Sequence, residues 1–114
     1  MESRRQKKIS ELIKQEMGTL LQREGANYYG TKFVTVTEAR ITPDLQECKI
    51  YISILQEKEP QKVADKLNQH AGDIRRRFGN SMRNSLRIIP HITFFVDDTL
   101  DDVFKLEQIL NNLK

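Results

Sequence analysis

Ile9, Leu12, Ile13, Met17, Leu20 and Leu21 recur at the spacing of one helix face, and Gly25 follows as a stop. An amphipathic first helix is predicted, with Arg4, Lys7, Lys8, Glu11 and Lys14 turned away from its apolar stripe. Asn27 to Gly30 is a turn-like cluster, and Phe33 to Ile41 is rich in β-branched residues without helical period, which predicts a strand. The apolar residues of that strand change parity: Val34 and Val36 fall on one side of the alternation, Ala39 and Ile41 on the other. Either a bulge near Glu38 or partial cover on both faces accounts for this, and the pattern leaves both open.

Thr42-Pro43-Asp44 has turn chemistry, and Cys48, Ile50, Ile52 and Ile54 then alternate with Lys49, Tyr51 and Ser53, so a hairpin of two antiparallel strands is expected. Pro60 suits the first turn of a helix, and Val63, Leu67, Ala71, Ile74, Phe78 and Met82 continue one face. Gly72 and Gly79 lie within this run, and glycine costs a helix about 1 kcal/mol relative to alanine, so the segment is expected to bend or divide there. Pro90 opens a third strand carrying Ile92, Phe94 and Val96, at its start or at a sheet edge. Thr99 and Asp102 form a capping-box pattern before Val103, Leu106, Leu110 and Leu113, the stripe of a last helix. The predicted order is α-β-β-α(kink)α-β-α, an α+β fold with helices on one face of a three-stranded sheet.

The chain has 114 residues, enough for one domain, read as residues 1–114 without a linker or repeat. A hydrophobic share of 38% supports a modest core and excludes a disordered polar chain. Cys48 is the single cysteine, so no intramolecular disulfide or multi-cysteine metal site can form, which fits a reducing compartment. The charged start lacks an apolar leader, and no stretch approaches the roughly 20 apolar residues of a membrane span, so a cytoplasmic protein is expected.

Net charge is only +3, but its placement is uneven. Between His70 and Arg87 stand five arginines, Arg75, Arg76, Arg77, Arg83 and Arg87, against one acid, Asp73. On a helix whose apolar face runs through Leu67, Ala71, Ile74 and Phe78, Arg76 and Arg83 project outward while Arg75 and Arg77 occupy the flanks. The planar fork of arginine suits phosphate, and several such contacts give affinity that falls steeply with salt. A solvated helix face with internal ion pairs fits the same charges equally well. Arg4, Lys7 and Lys8 form a second basic group, which as a terminus could equally be a soluble end.

Other candidate chemistry reduces to structure. Tyr28, Tyr29 and Phe33 are read as packing rather than base stacking. Asp97, Asp98, Asp101 and Asp102 fit a helix N-terminus and lack the alternation and glycine of a calcium loop. Cys48 lies on the apolar parity of its strand, His70 and His91 have no activating neighbour in sequence, and no phosphate-binding loop, dinucleotide fingerprint or metalloprotease motif occurs. No enzyme, metal or cofactor is expected.

The element order resembles ribosome-binding factor A when taken with Val34-Thr35-Val36-Thr37, Pro43-Asp44-Leu45, Lys49-Ile50-Tyr51-Ile52 and Arg75 following Gly72. The segment Arg87-Ile88-Ile89-Pro90-His91-Ile92-Thr93-Phe94-Phe95-Val96-Asp97 looks like that family's Leu/Arg-x-x-Pro-x-Leu-x-Phe-x-x-Asp signature. The resemblance implies a type II KH-like domain in which an Ala-x-Gly kink replaces the usual Gly-x-x-Gly; the matching triplet is His70-Ala71-Gly72, which agrees at the glycine. It also implies transient binding of a monomer to 16S ribosomal RNA in immature or free 30S subunits, support of late maturation and of growth in the cold, and release aided by an assembly GTPase. A protein-interaction adaptor with a basic face and an RNA-processing enzyme are the competing readings.

Overall fold

The computed structural model describes residues 3–30, 34–55 and 58–97. Seven elements follow in chain order: α1 (Arg4–Glu24), α2 (Ala26–Tyr29), β1 (Val34–Ile41), β2 (Glu47–Ile54), α3 (Pro60–Gln69), α4 (Ala71–Met82) and β3 (His91–Val96). The sheet order is β1-β2-β3, with β1 antiparallel and β3 parallel to the central β2. A parallel pair cannot be closed by a tight turn, and α3 and α4 supply the crossover. Alternate residues of each strand enter a core that joins Ile13, Met17 and Leu21 of α1 to Ile50 and Ile52 of β2, Leu67 of α3, Ile74 and Phe78 of α4 and Phe94 of β3. This is the KH-like α+β arrangement expected; the predicted last helix, with Thr99, Asp102 and its apolar stripe, lies outside the described residues, as do Phe33, Asp98 and Asp101.

The parity conflict in β1 resolves as a bulge. Val36 pairs with Ile52 and Glu38 with Tyr51, so Thr37 is the inserted residue, and Val34, Val36, Ala39 and Ile41 are all buried. Thr37 is held by its hydroxyl, which donates to the Tyr51 carbonyl at 3.3 Å and to Asp97 at 2.5 Å. At the hairpin, the Leu45 N–H closes on the Thr42 carbonyl at 2.9 Å, and the Asp44 carboxylate accepts from the Thr42 hydroxyl and the Gln46 N–H. Those two donors hold the Asp44 carboxyl below its ordinary range. Leu45 completes the turn with a positive φ of 61°.

Four sequence expectations change. The buried face of α1 is rotated from the predicted stripe: Leu12 is exposed, while Gln6 and Ser10 are buried. Both polar side chains serve the backbone of Ile41, Gln6 Nε2 donating to its carbonyl at 3.2 Å and Ser10 Oγ accepting its N–H at 3.2 Å. Gln6 also completes a capping box with Ser3. Second, α1 stops at Gly25 as expected, with right-handed helical angles, but the turn expected at Asn27 to Gly30 is the short helix α2, which turns Tyr28 and Tyr29 into the core. Third, the long helix divides at His70 (φ −99°, ψ 13°) and not at Gly72 or Gly79, both of which lie inside α4. The His70 N–H instead bonds the carbonyls of Lys66 and Leu67, terminating α3 while the His70 carbonyl starts α4. Fourth, Ala71 is only half-buried at that junction. Pro90 precedes β3, an edge strand, and Cys48 is buried in the core, both as expected.

Candidate nucleic-acid interface

Helical geometry sorts the arginines of α4 by function. Gly72, Arg76, Gly79 and Arg83 fall at i, i+4, i+7 and i+11, a single outward stripe on which glycine and arginine alternate. With Arg75, Asn80 and Ile89 they line one open groove. Gly72 has no neighbouring atom where a Cβ would stand, so at that point the helix backbone is bare to solvent. A groove with a cationic rim and exposed backbone accepts a phosphodiester chain closely, because no side chain holds it off.

Arg76 and Arg83 occupy the outward positions predicted for them, and both are exposed. Arg83 sits at the C-cap of α4, where a cation also complements the helix dipole. Arg75 and Arg77 flank the stripe as predicted, but their heads are committed to the fold. Arg75 donates to the carbonyls of Ile89 (2.7 Å) and Pro90 (3.2 Å), fixing the entry to β3. Arg77 bridges Glu24 of α1 at 3.0 Å and Asp73 at 3.2 Å.

Asp73 is the acidic centre of this side. It accepts from Arg76 at 2.7 Å, from the Tyr28 hydroxyl at 2.7 Å and from Arg77. Those donors, Arg76 first, hold its carboxyl well below the ordinary carboxylate range. Tyr28 is pushed up to about 12, by burial foremost and then by its bond to Asp73. Arg76 therefore spends one N–H on Asp73 while its side chain stays 68% exposed, and among the described residues Arg83 and Arg87 have no ion pair.

A second groove lies beside the first, sharing the loop between α4 and β3. Its floor is Ile9, Ile41, Leu45, Leu86 and Ile88, and Arg5 and Arg87 stand on it. Arg87 thus faces α1 rather than α4. Of the N-terminal basic run Arg4, Arg5, Lys7 and Lys8, the sequence singles out Arg4, Lys7 and Lys8, all exposed on α1, whereas the fold places Arg5 with Arg87. No periodicity signals that pairing, since the two arginines meet only after the sheet has assembled. Of the kink triplet, His70 is the break itself and tilts its ring toward Tyr28, with centroids 5.2 Å apart, while Gly72 contributes to the groove. Among the described residues no group of histidine, cysteine or carboxylate side chains could hold a metal ion, and no helix is long and apolar enough to cross a membrane.

Comparison with known proteins agrees with this architecture. The family model for ribosome-binding factor A matches residues 5–110. The ribosome-binding factor A of Akkermansia muciniphila is 38% identical over 115 aligned positions, covering 97% of this chain and 89% of the relative. The crystal structure of ribosome-binding factor A from Thermus thermophilus superposes with a TM-score of 0.65 at 14% identity, covering 80% of this chain and 94% of that one. Coordinates of the Thermus thermophilus factor fitted into an electron cryo-microscopy map of a 30S complex give a TM-score of 0.61 at 16% identity, with 77% and 90% covered. A family match over nearly the whole length, on a fold shared with the family's solved members, makes this chain a member of the ribosome-binding factor A family.

Proposed function

We propose that this ribosome-binding factor acts as a single domain on 16S ribosomal RNA in free or immature 30S subunits, supporting their maturation without making or breaking a bond. The observation that carries the reading is the Gly72-Arg76-Gly79-Arg83 stripe: two outward cations on one open groove, with the helix backbone bare at Gly72 beside Arg76 and Ile89 packed against Gly79 between them. Arg87 with Arg5, and Arg4, Lys7 and Lys8 on α1, extend the cationic surface past the α4–β3 loop. The role of the flanking pair is narrower than the sequence suggested. Arg75 and Arg77 shape the groove through Ile89, Pro90, Asp73 and Glu24, and Arg76 and Arg83 carry the phosphate contacts.

Such docking reads RNA shape and backbone, since the stripe carries few groups suited to base edges. Binding holds one arrangement of the RNA until the particle matures, and release, aided by an assembly GTPase, frees a cytoplasmic monomer for the next subunit. Support of growth in the cold belongs to the same reading, because misfolded RNA arrangements persist longer there.

The test is sedimentation of the intact protein with purified small subunits, large subunits and whole ribosomes over a range of salt. Selective binding to free small subunits that weakens with salt is expected. Arg76→Glu with Arg83→Glu is expected to abolish most of it and to lower the salt slope by about two, one counterion-releasing contact for each arginine. The variant should still fold, since the Arg76–Asp73 pair is exposed. Intact binding by the folded double variant, or salt-insensitive capture of a protein alone, would replace this reading with that of an adaptor.

A further inference from the structure

The helices cover one face of the sheet, and the opposite face carries side chains that strand packing alone does not explain. In β2, Lys49, Tyr51 and Ser53 alternate with the buried Cys48, Ile50 and Ile52. The register sets Arg40 of β1 directly opposite Lys49, and Tyr51 directly beside Phe95 of β3. The Tyr51 and Phe95 rings stack with centroids 5.7 Å apart and planes inclined by 30°, and the Arg40 guanidinium lies 5.8 Å from the Tyr51 ring centre. Phe95 keeps 39% of its surface exposed. Like charges directly across a strand pair repel, and an exposed phenyl ring contributes little to a core it does not enter. Glu38 offsets part of this by accepting from Arg40 at 2.9 Å, while Lys49 has no carboxylate partner among the described residues.

We propose that this open face is a second RNA contact, a platform on which one or two unpaired bases of a single strand stack. Tyr51 and Phe95 meet the base faces, and Arg40 and Lys49 meet the phosphate between them. Stacking on aromatic rings with adjacent cations is the chemistry by which sheets hold single strands with little sequence preference. The surroundings favour RNA over an apolar protein surface. Glu38 of β1 stands in the row of the two rings and pairs with Arg40, the next rows are Thr35 with Ser53 and Arg40 with Lys49 and Thr93, and an apolar partner would strip water from Lys49 without pairing it. The platform lies on the other side of the sheet from the α4 groove and does not depend on that groove binding RNA.

The experiment is an NMR titration of the full chain with short oligoadenylate and oligouridylate. Shift changes centred on Lys49, Tyr51 and Phe95 are expected, with affinity falling as salt rises. Tyr51→Thr with Phe95→Thr should weaken the oligonucleotide on this face at least about tenfold and remove the shift changes at Lys49, whereas Arg76→Glu with Arg83→Glu should leave the shift changes on this face in place, whatever it does to binding in the groove. That contrast separates failure here from failure of the helical groove. Lys49→Glu, on the exposed face and outside the core, provides the same test if the double ring variant does not fold, and should also weaken binding. No shift changes on this face, undiminished affinity after loss of the rings or of Lys49, or Phe95 ring contacts to residues beyond 97 in the RNA-free protein would each overturn the proposal.

Discussion

Burial first and Asp73 second keep Tyr28 protonated, Arg76 first and Tyr28 second keep Asp73 ionised, and the two ends of the pH scale release them separately. Asp73 ionises lower in the folded protein than in the unfolded chain, so its contribution to stability is complete above the ordinary carboxylate value near 4 and is lost as pH falls toward its depressed native value. Tyr28 is raised, so its contribution is complete below the ordinary phenol value near 10 and is lost as pH rises toward about 12. Urea unfolding at a series of pH values should show both limbs. Asp73→Asn should flatten the acid limb, and Tyr28→Phe should flatten the alkaline one and remove the latest phenolate step in ultraviolet absorbance. The outward positions of Arg76 and Arg83 were legible from helical angle alone. Of the two partners of Arg77, Asp73 stands one helical turn away on α4, but Glu24 was not legible, because it lies on another helix and no local spacing connects it.

Two glycines with opposite surroundings make a test of how the helices are packed. At Gly25 a Cβ would collide with the Tyr29 hydroxyl and the Leu21 carbonyl, the two partners of a buried 3.0 Å hydrogen bond. Gly25→Ala should cost about 1–3 kcal/mol as the α1–α2 corner opens. Gly72→Ala meets open space on a helix and should stabilise by up to about 1 kcal/mol while weakening small-subunit binding, since the added methyl stands on the stripe. Thermal melts and sedimentation of the two variants check both signs. The broken parity of β1 was legible, with the bulge as one of its two readings, and a division of the long helix was expected, but at its glycines, whereas the break falls at His70, whose backbone carries it without glycine. It concealed how the sheet edges are finished. Gln6 and Ser10 take the outward groups of Ile41, and Asn68 both donates to the Phe94 carbonyl at 3.0 Å and accepts its N–H at 2.8 Å. Polar residues on a helix resemble surface until an edge strand is placed beside them, and here they take up one residue's outward groups on each edge.

On the scale of the whole molecule, the cationic surface draws on α1, α4 and the loop before β3, and it is assembled around Arg75 rather than through it. Arg75→Ala should cost about 1–3 kcal/mol, from two charge-assisted bonds to half-buried carbonyls. Hydrogen exchange should quicken from Leu86 to Phe94, and subunit binding should fall even though the phosphate contacts are proposed for Arg76 and Arg83. The sequence placed Arg75 on a flank of α4 but gave no sign of its grip on Ile89 and Pro90, because that contact exists only once the parallel strand has crossed over and docked. This grip also sets an order in time. During synthesis α1 and the β1–β2 hairpin leave the ribosome first, and α4 emerges while the two carbonyls that fix its arginine are still unmade. The α4 groove takes its final shape only after the chain has been extended past Pro90, so on the proposed reading a half-made copy lacks the surface by which a finished one would engage the small subunit.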